Sequence, residues 1–120
     1  MDEQAKLERV FNFPFGDIYN NYVAKVERKD RTRAELDEVL AWFSGLDADE
    51  LHAQAESGST LRDFFGQVTL DPGADLITGT VCGVRVEEVE DPLMRKIRMM
   101  DKIVEELARG KAVDKIIRSA

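Results

Sequence analysis

The sequence predicts a mainly α fold: one compact domain of five or six helices, with an extended N-terminal arm and one short extended, β-like stretch at about 80–86. Three observations lead there. Capping residues stand ahead of four successive apolar stripes, the stripes recur at helical rather than strand spacing, and 120 residues suffice for one core but not two.

Taken in order, residues 1–16 carry Phe11, Phe13 and Phe15 at a period of two, and Pro14 pushes Phe13 away from helical backbone. These features predict an extended arm laid on the core. Ile18, Tyr19, Tyr22, Val23 and Val26 then form the apolar stripe of a helix from about Asp17, with Asp17 as its cap. Thr32 and Glu35 make a capping box ahead of Leu36, Val39, Leu40 and Phe43, and Gly45 supplies a left-handed stop. Asp47 and Glu50 open the next helix, with Leu46 and Leu51 placed as a hydrophobic staple. Thr60 caps a further turn or two bearing Leu61, Phe64 and Phe65, which completes a helical half over 17–68.

Residues 69–90 change character. Asp71, Pro72 and Gly73 read as a turn. From Thr80, Cys82, Val84 and Val86 alternate with Gly83, Arg85 and Glu87, which is strand periodicity with no second strand in view. Residues 91–119 return to helix as a pair. Asp91 caps and Pro92 occupies the first helical position, where its missing N–H costs nothing. Leu93, Ile97, Met100, Val104 and Leu107 recur at heptad-like spacing, a seam suited to bundle packing or to a homodimer contact. Gly110 ends this helix, and Val113, Ile116 and Ile117 mark a last short one.

Composition excludes several classes. No apolar run approaches the roughly 20 residues of a membrane span, and the polar N-terminal residues do not read as a signal or transit peptide. A single cysteine excludes an internal disulfide and a cysteine-based zinc site, so a cytoplasmic location is expected. The net charge of −7 argues against nucleic acid, although Lys and Arg are unevenly spread. Residues 1–90 hold nine against nineteen acidic residues, and residues 91–120 hold eight against five.

Chemistry-bearing residues are sparse. His52, the one histidine, reads as an exposed surface residue; a His52–Cys82 dyad would lack a third orienting group. Cys82 itself reads as a buried, inert thiol. Arg85, between two valines, calls for a partner, and a carboxylate or a ligand anion would suit its fork. Glu87, Glu88, Glu90 and Asp91 cluster before a helix without the loop spacing of a cation site. No phosphate loop or dinucleotide fingerprint is present, and no metal or cofactor is called for. Tyr19 and Tyr22 lie on a helical stripe, as core first and as a binding platform second.

The run Val81–Met94, the segment Lys111–Arg118, the residues Ile18, Tyr19, Tyr22 and Lys25, and the segment Arg31–Leu40 with Trp42 and Gly45 together resemble a bacterial family defined as a domain of unknown function, DUF2200. The resemblance spans about Phe13 to Arg118. It implies a short cytosolic bacterial protein and carries over no catalytic residue. Three readings follow. The first is a non-enzymatic interaction module that self-associates through Leu93, Ile97, Met100, Val104 and Leu107 or binds a protein partner. The second is an anion-binding protein or enzyme with a pocket formed by Tyr19, Tyr22, Cys82 and Arg85, with Glu87 and Glu88 nearby. The third is a DNA-binding helix-turn-helix built from the C-terminal helix pair, a reading that Asp101, Glu105, Glu106 and Asp114 oppose by interrupting its basic face.

Overall fold

A computed structural model describes residues 2–118; Met1, Ser119 and Ala120, which the expected arm and final helix pair reach into, lie outside the described residues. Seven α-helices are present among the described residues: α1 (Glu3–Phe11), α2 (Phe15–Glu27), α3 (Arg33–Ser44), α4 (Ala48–Glu56), α5 (Leu61–Gln67), α6 (Pro92–Ala108) and α7 (Val113–Ile116). Between α5 and α6 lie a 3-10 turn over Pro72–Leu76, a two-stranded hairpin of β1 (Thr80–Val81) and β2 (Val84–Arg85), and a 3-10 turn over Val86–Glu88. The mainly α, single-domain expectation holds, with one helix more than foreseen.

That extra helix is α1, where an extended arm was expected. Asp2 caps it, its carboxylate accepting from the Ala5 amide at 2.7 Å, and Leu7, Val10 and Phe11 form a short inward stripe. The three phenylalanines therefore do not share one strand face. Phe11 ends α1 and is buried, Phe15 begins α2 and is buried, and Phe13 between them is 43% exposed. Extended backbone is confined to the join at Phe13 and Pro14, which pairs with the segment before α5: the Phe15 amide donates to Ser59 O and the Leu61 amide to Phe13 O. Pro14 sits at the cap of α2, so this helix starts two residues before Asp17.

The caps ahead of α3, α4 and α6 form as their residues require. Thr32 with Glu35, and Asp47 with Glu50, complete capping boxes, and Asp91 accepts from the Met94 amide with Pro92 in the first turn. Thr60 also closes a box, with Asp63, a shorter partner than the usual glutamate.

The stretch 80–86 corrects the expectation of one unpaired strand. It folds back on itself, Thr80 opposite Arg85 and Val81 opposite Val84. Cys82 and Gly83 are the two turn residues, both with positive φ (51° and 77°), which is the backbone of a type I′ hairpin turn. The apparent alternation ran straight through that turn. Cys82 is consequently exposed at the tip rather than buried.

The core has α6 at its centre. Ile97, Met99, Met100, Ile103, Val104, Leu107 and Ala108 are all buried, and α6 touches every other α-helix except α4 in strength, plus the hairpin and the 3-10 turn behind it. On the far side α4 packs on α2 and α3, bringing Leu51 in. The approach of α4 to α2 is set by Gly16. A Cβ there would lie 2.2 Å from the backbone oxygen of Ala55, so only a hydrogen atom fits. Gly16→Ala is expected to destabilise the protein by about 2–4 kcal/mol, because backbone has to move to admit it. Urea denaturation followed by circular dichroism measures this; a loss below about 0.5 kcal/mol would show that the two helices are not in this contact.

Candidate functional site

Helix α2 presents two tyrosines three residues apart, and each hydroxyl reaches a carboxylate on a different helix. Tyr19 donates to Asp37 Oδ1 of α3 at 2.6 Å. The second oxygen of Asp37 meets His52 Nε2 of α4 at 2.8 Å, and Arg33 Nε donates to the Tyr19 oxygen at 2.9 Å. Tyr22 donates to Asp101 Oδ1 of α6, with Arg98 3.7 Å from the other oxygen. Burial pushes the Tyr19 phenol up to about 12 against the opposing pull of Arg33, and the Asp37 hydrogen bond and charge add to the rise. Tyr22 is raised well above the ordinary tyrosine range, first by burial and then by the charge of Asp101. Burial raises the Asp101 carboxyl too, opposed by the Tyr22 hydroxyl. Both phenols are thus held neutral, as donors.

This Tyr19–Asp37–His52–Arg33 network escaped sequence reading. His52, expected to be a solitary surface residue, is paired, and its side chain is 30% exposed. No local signal announces the pairing, since its members stand 15 and 18 residues from Asp37. An imidazole oriented by a carboxylate is one part of a nucleophilic triad. The hydroxyl beside it, however, is a phenol whose proton is already committed to that same carboxylate. The arrangement is built to hold α2, α3 and α4 together.

The residues expected to form one anion pocket are divided between the core and the surface. The rings of Tyr19 and Tyr22 are buried. Cys82 lies at the hairpin tip, lining an open cleft with Thr80, Val81, Gly83, Glu105 and Arg109. Arg85 is 66% exposed and stands 3.9 Å from Glu87, a loose surface pair rather than an anchored fork. Glu87 serves the backbone, accepting from the Gly79 amide at 3.0 Å through its carboxylate and from Arg95 through its carbonyl. Glu88 is exposed. Among the described residues no group of three or more His, Cys, Asp or Glu is placed to hold a metal ion.

The α6 seam is also placed differently from the expected interface. Ile97, Met100, Val104 and Leu107 are buried in the chain's own core, and Leu93 is half-buried against it, so the seam is not a surface on which a second copy could sit. Burial of both flanks, through Met99, Ile103 and Ala108, makes this a core helix rather than a coiled-coil strand.

One open groove lies beside the seam. Leu7 and Val10 of α1, Val84 of β2, Val89 and Met94 border a cleft of about 470 Å³. A second cleft of about 250 Å³, lined by Phe13, Ile18, Leu61 and Ile97, shares Val10, Met94 and Arg98 with the first, so the two are neighbours. Glu3, Glu90 and Asp91 stand on the rim with Lys6 and Arg98, and Asp101 is at the far end against Arg98.

Fold and site together define a small helical domain whose buried polar pairs join its helices and one of whose open clefts is apolar. The family model described as an uncharacterized protein conserved in bacteria, DUF2200, matches residues 9–118, and the chain belongs to that family. The chain is also similar to a solved structure titled crystal structure of uncharacterized protein SP1917. The two are 37% identical with a TM-score of 0.86, over 91% of this chain and 90% of that one. No curated protein matches the chain. No described helix is long and apolar enough to cross a membrane.

The two tyrosines give a direct readout of this interior. Their folded-state pKa values lie above the unfolded value of about 10, so the stability they contribute is present below pH 10 and is lost as pH climbs, for Tyr19 through about 12. Absorbance at 295 nm is expected to stay flat to about pH 10.5 in the native protein, whereas both phenols ionise near pH 10 in denaturant. A native midpoint close to 10 for either tyrosine would mean that its phenol is not buried against its carboxylate as described.

Proposed function

We propose that this protein is a non-enzymatic interaction module of the bacterial cytosol that receives an amphipathic helical segment of a partner protein in the α1–α6 groove. One observation carries the reading: Leu7 and Val10 of α1, Met94 of α6 and Phe13 line neighbouring apolar clefts and are left only partly covered, and of the two exposed large apolar side chains among the described residues, Phe13 and Leu76, Phe13 is the one that lines a cleft there. Phe13 stands at one end, 43% exposed, in a chain that buries its other five phenylalanines. Aromatic side chains held half-exposed beside an apolar cleft are characteristic anchors of protein interfaces.

The occupant follows from the groove's shape and charge. A trough bounded by a helix on each side suits a helix laid in with its apolar face down. On the rim Glu3, Glu90 and Asp91 outnumber Lys6, because Arg98 is already matched by Asp101. The complementary segment is therefore apolar on one face and basic along its flanks.

The test is an NMR titration with a roughly 16-residue leucine–lysine amphipathic peptide, beside its leucine–glutamate counterpart. Shift changes are expected around Leu7, Val10, Phe13, Val84, Val89 and Met94 with the basic peptide and far weaker ones with the acidic peptide. Phe13→Asp, at an exposed position, should weaken binding about tenfold without unfolding the domain. Shifts centred instead on the acidic α4 surface, or equal binding of both peptides, would refute the assignment.

A further inference from the structure

A second surface has the opposite character. The last turn of α2 and the residues after it place Lys25, Arg28 and Lys29 on one wall of a cleft of about 1,010 Å³, and Glu105, Ala108 and Arg109 of α6 form the other. Glu105, Ala108 and Arg109 are spaced i, i+3, i+4 along the end of α6, while Arg28 and Lys29 follow directly on the end of α2. Four cations thus line a cleft that holds a single carboxylate, in a chain of net charge −7.

Glu105 accounts for two of them. It accepts from Lys25 Nζ across the cleft at 2.5 Å and from Arg109 Nε at 2.8 Å. Those two hydrogen bonds also hold its own carboxyl below the usual range. Arg28 and Lys29 have no carboxylate partner among the described residues. The ordinary task of cations at a helix end is to meet its free carbonyls. Here that task is done by other groups. Arg31 donates to Leu107 O at 3.0 Å and to Lys111 O at 2.8 Å, closing the end of α6. The last carbonyls of α2 take the backbone amides of Arg28, Lys29, Asp30 and Arg31. Arg28 and Lys29 are surplus to the fold.

We infer that this cleft binds a compact, multiply charged anion, a phosphorylated small molecule carrying at least two negative charges. Arg28 and Lys29 on one wall, with Arg109 on the other and Lys25 beside them, give more positive charge than Glu105 neutralises, which suits a cluster of phosphate oxygens better than a lone carboxylate. The volume is that of a small-molecule site. Compactness follows from the surroundings: residues 1–90 carry nineteen acidic against nine basic side chains, so a long polyanion reaching beyond the cleft meets repulsion. The cleft also runs on toward the hairpin, because Glu105 and Arg109 line the adjoining recess with Thr80, Val81, Cys82 and Gly83. That recess gives the uncharged part of such a ligand a place to lie.

Isothermal titration with inorganic pyrophosphate, at about 0.1 M salt, tests the inference, with a single-stranded DNA oligonucleotide in parallel. Saturable one-to-one binding of pyrophosphate is expected, weakened about tenfold by either Arg28→Ala or Lys29→Ala. Both side chains are exposed, so the thermal midpoint should not move, and Lys115→Ala in α7, which does not line the cleft, should leave binding as it was. Absence of saturable binding, or undiminished affinity in the Arg28→Ala/Lys29→Ala double variant, would overturn the site. Tighter binding of the oligonucleotide than of pyrophosphate would overturn the compact ligand. None of these residues lines the apolar groove, so either surface can fail without the other.

Discussion

The inward packing of α6 is the constraint on which the rest of the molecule depends. Met100, Ile103, Val104 and Leu107 are completely buried, and each such side chain contributes about 1.5–3 kcal/mol on leaving water. With Ile97 and Met99 they surround so much of the helix that α2, α3, α5, the hairpin and α7 are all arranged by what they lay against it. The hairpin is the clearest dependent. Four paired residues are too few to stand alone, and Val81 and Val86 hold it by going into the α6 side of the core.

Apolar burial alone leaves the register between helices loose, and polar pairs fix it. On α2, Tyr22 and Lys25 lie three residues apart; on α6, Asp101 and Glu105 lie four apart, and the two pairs join rung by rung. Sliding α2 along α6 by one turn would leave a buried phenol and a buried carboxylate without partners, each costing about 1–3 kcal/mol. Tyr19 does the same against α3, with Asp37 shared by His52 of α4. Three helices are thereby indexed to α2 through two adjacent tyrosines, which is why the only tyrosines in the chain are structural rather than members of a pocket.

Legibility in the sequence divides along the line between local and non-local chemistry. Thr32, Asp47, Thr60 and Asp91 could be read because a cap and its partner lie within three residues, and the fold class follows from them. The α1 helix was hidden by Phe13 and Pro14, whose strong extended signal belongs to a two-residue join rather than to an arm. The hairpin was hidden because Cys82 takes the left-handed backbone usually given to Asn, Asp or Gly, so that only Gly83 marked the turn. The α6 spacing was legible as a stripe, but a stripe does not say whether its cover is another helix of the same chain or a second copy. Arg85 had no apolar strand around it to demand a partner, and the cations that do gather, Lys25 and Arg28 with Arg109, sit about 80 residues apart in the chain. Sequence neighbours could not reveal them.

The two open surfaces lie on opposite ends of α6: the apolar groove beside its first turns, where Met94 is only partly covered, and the basic cleft beside its last, at Glu105 and Arg109. Between them the apolar face of the helix is enclosed by its own chain. Sedimentation and near-ultraviolet circular dichroism of Val104→Asp test that enclosure most directly. A carboxylate at a position with no solvent access and no partner should abolish the cooperative fold. A Val104→Asp protein that keeps its tertiary signal, and merely turns a wild-type dimer into a folded monomer, would place α6 at an interface between copies and contradict the account.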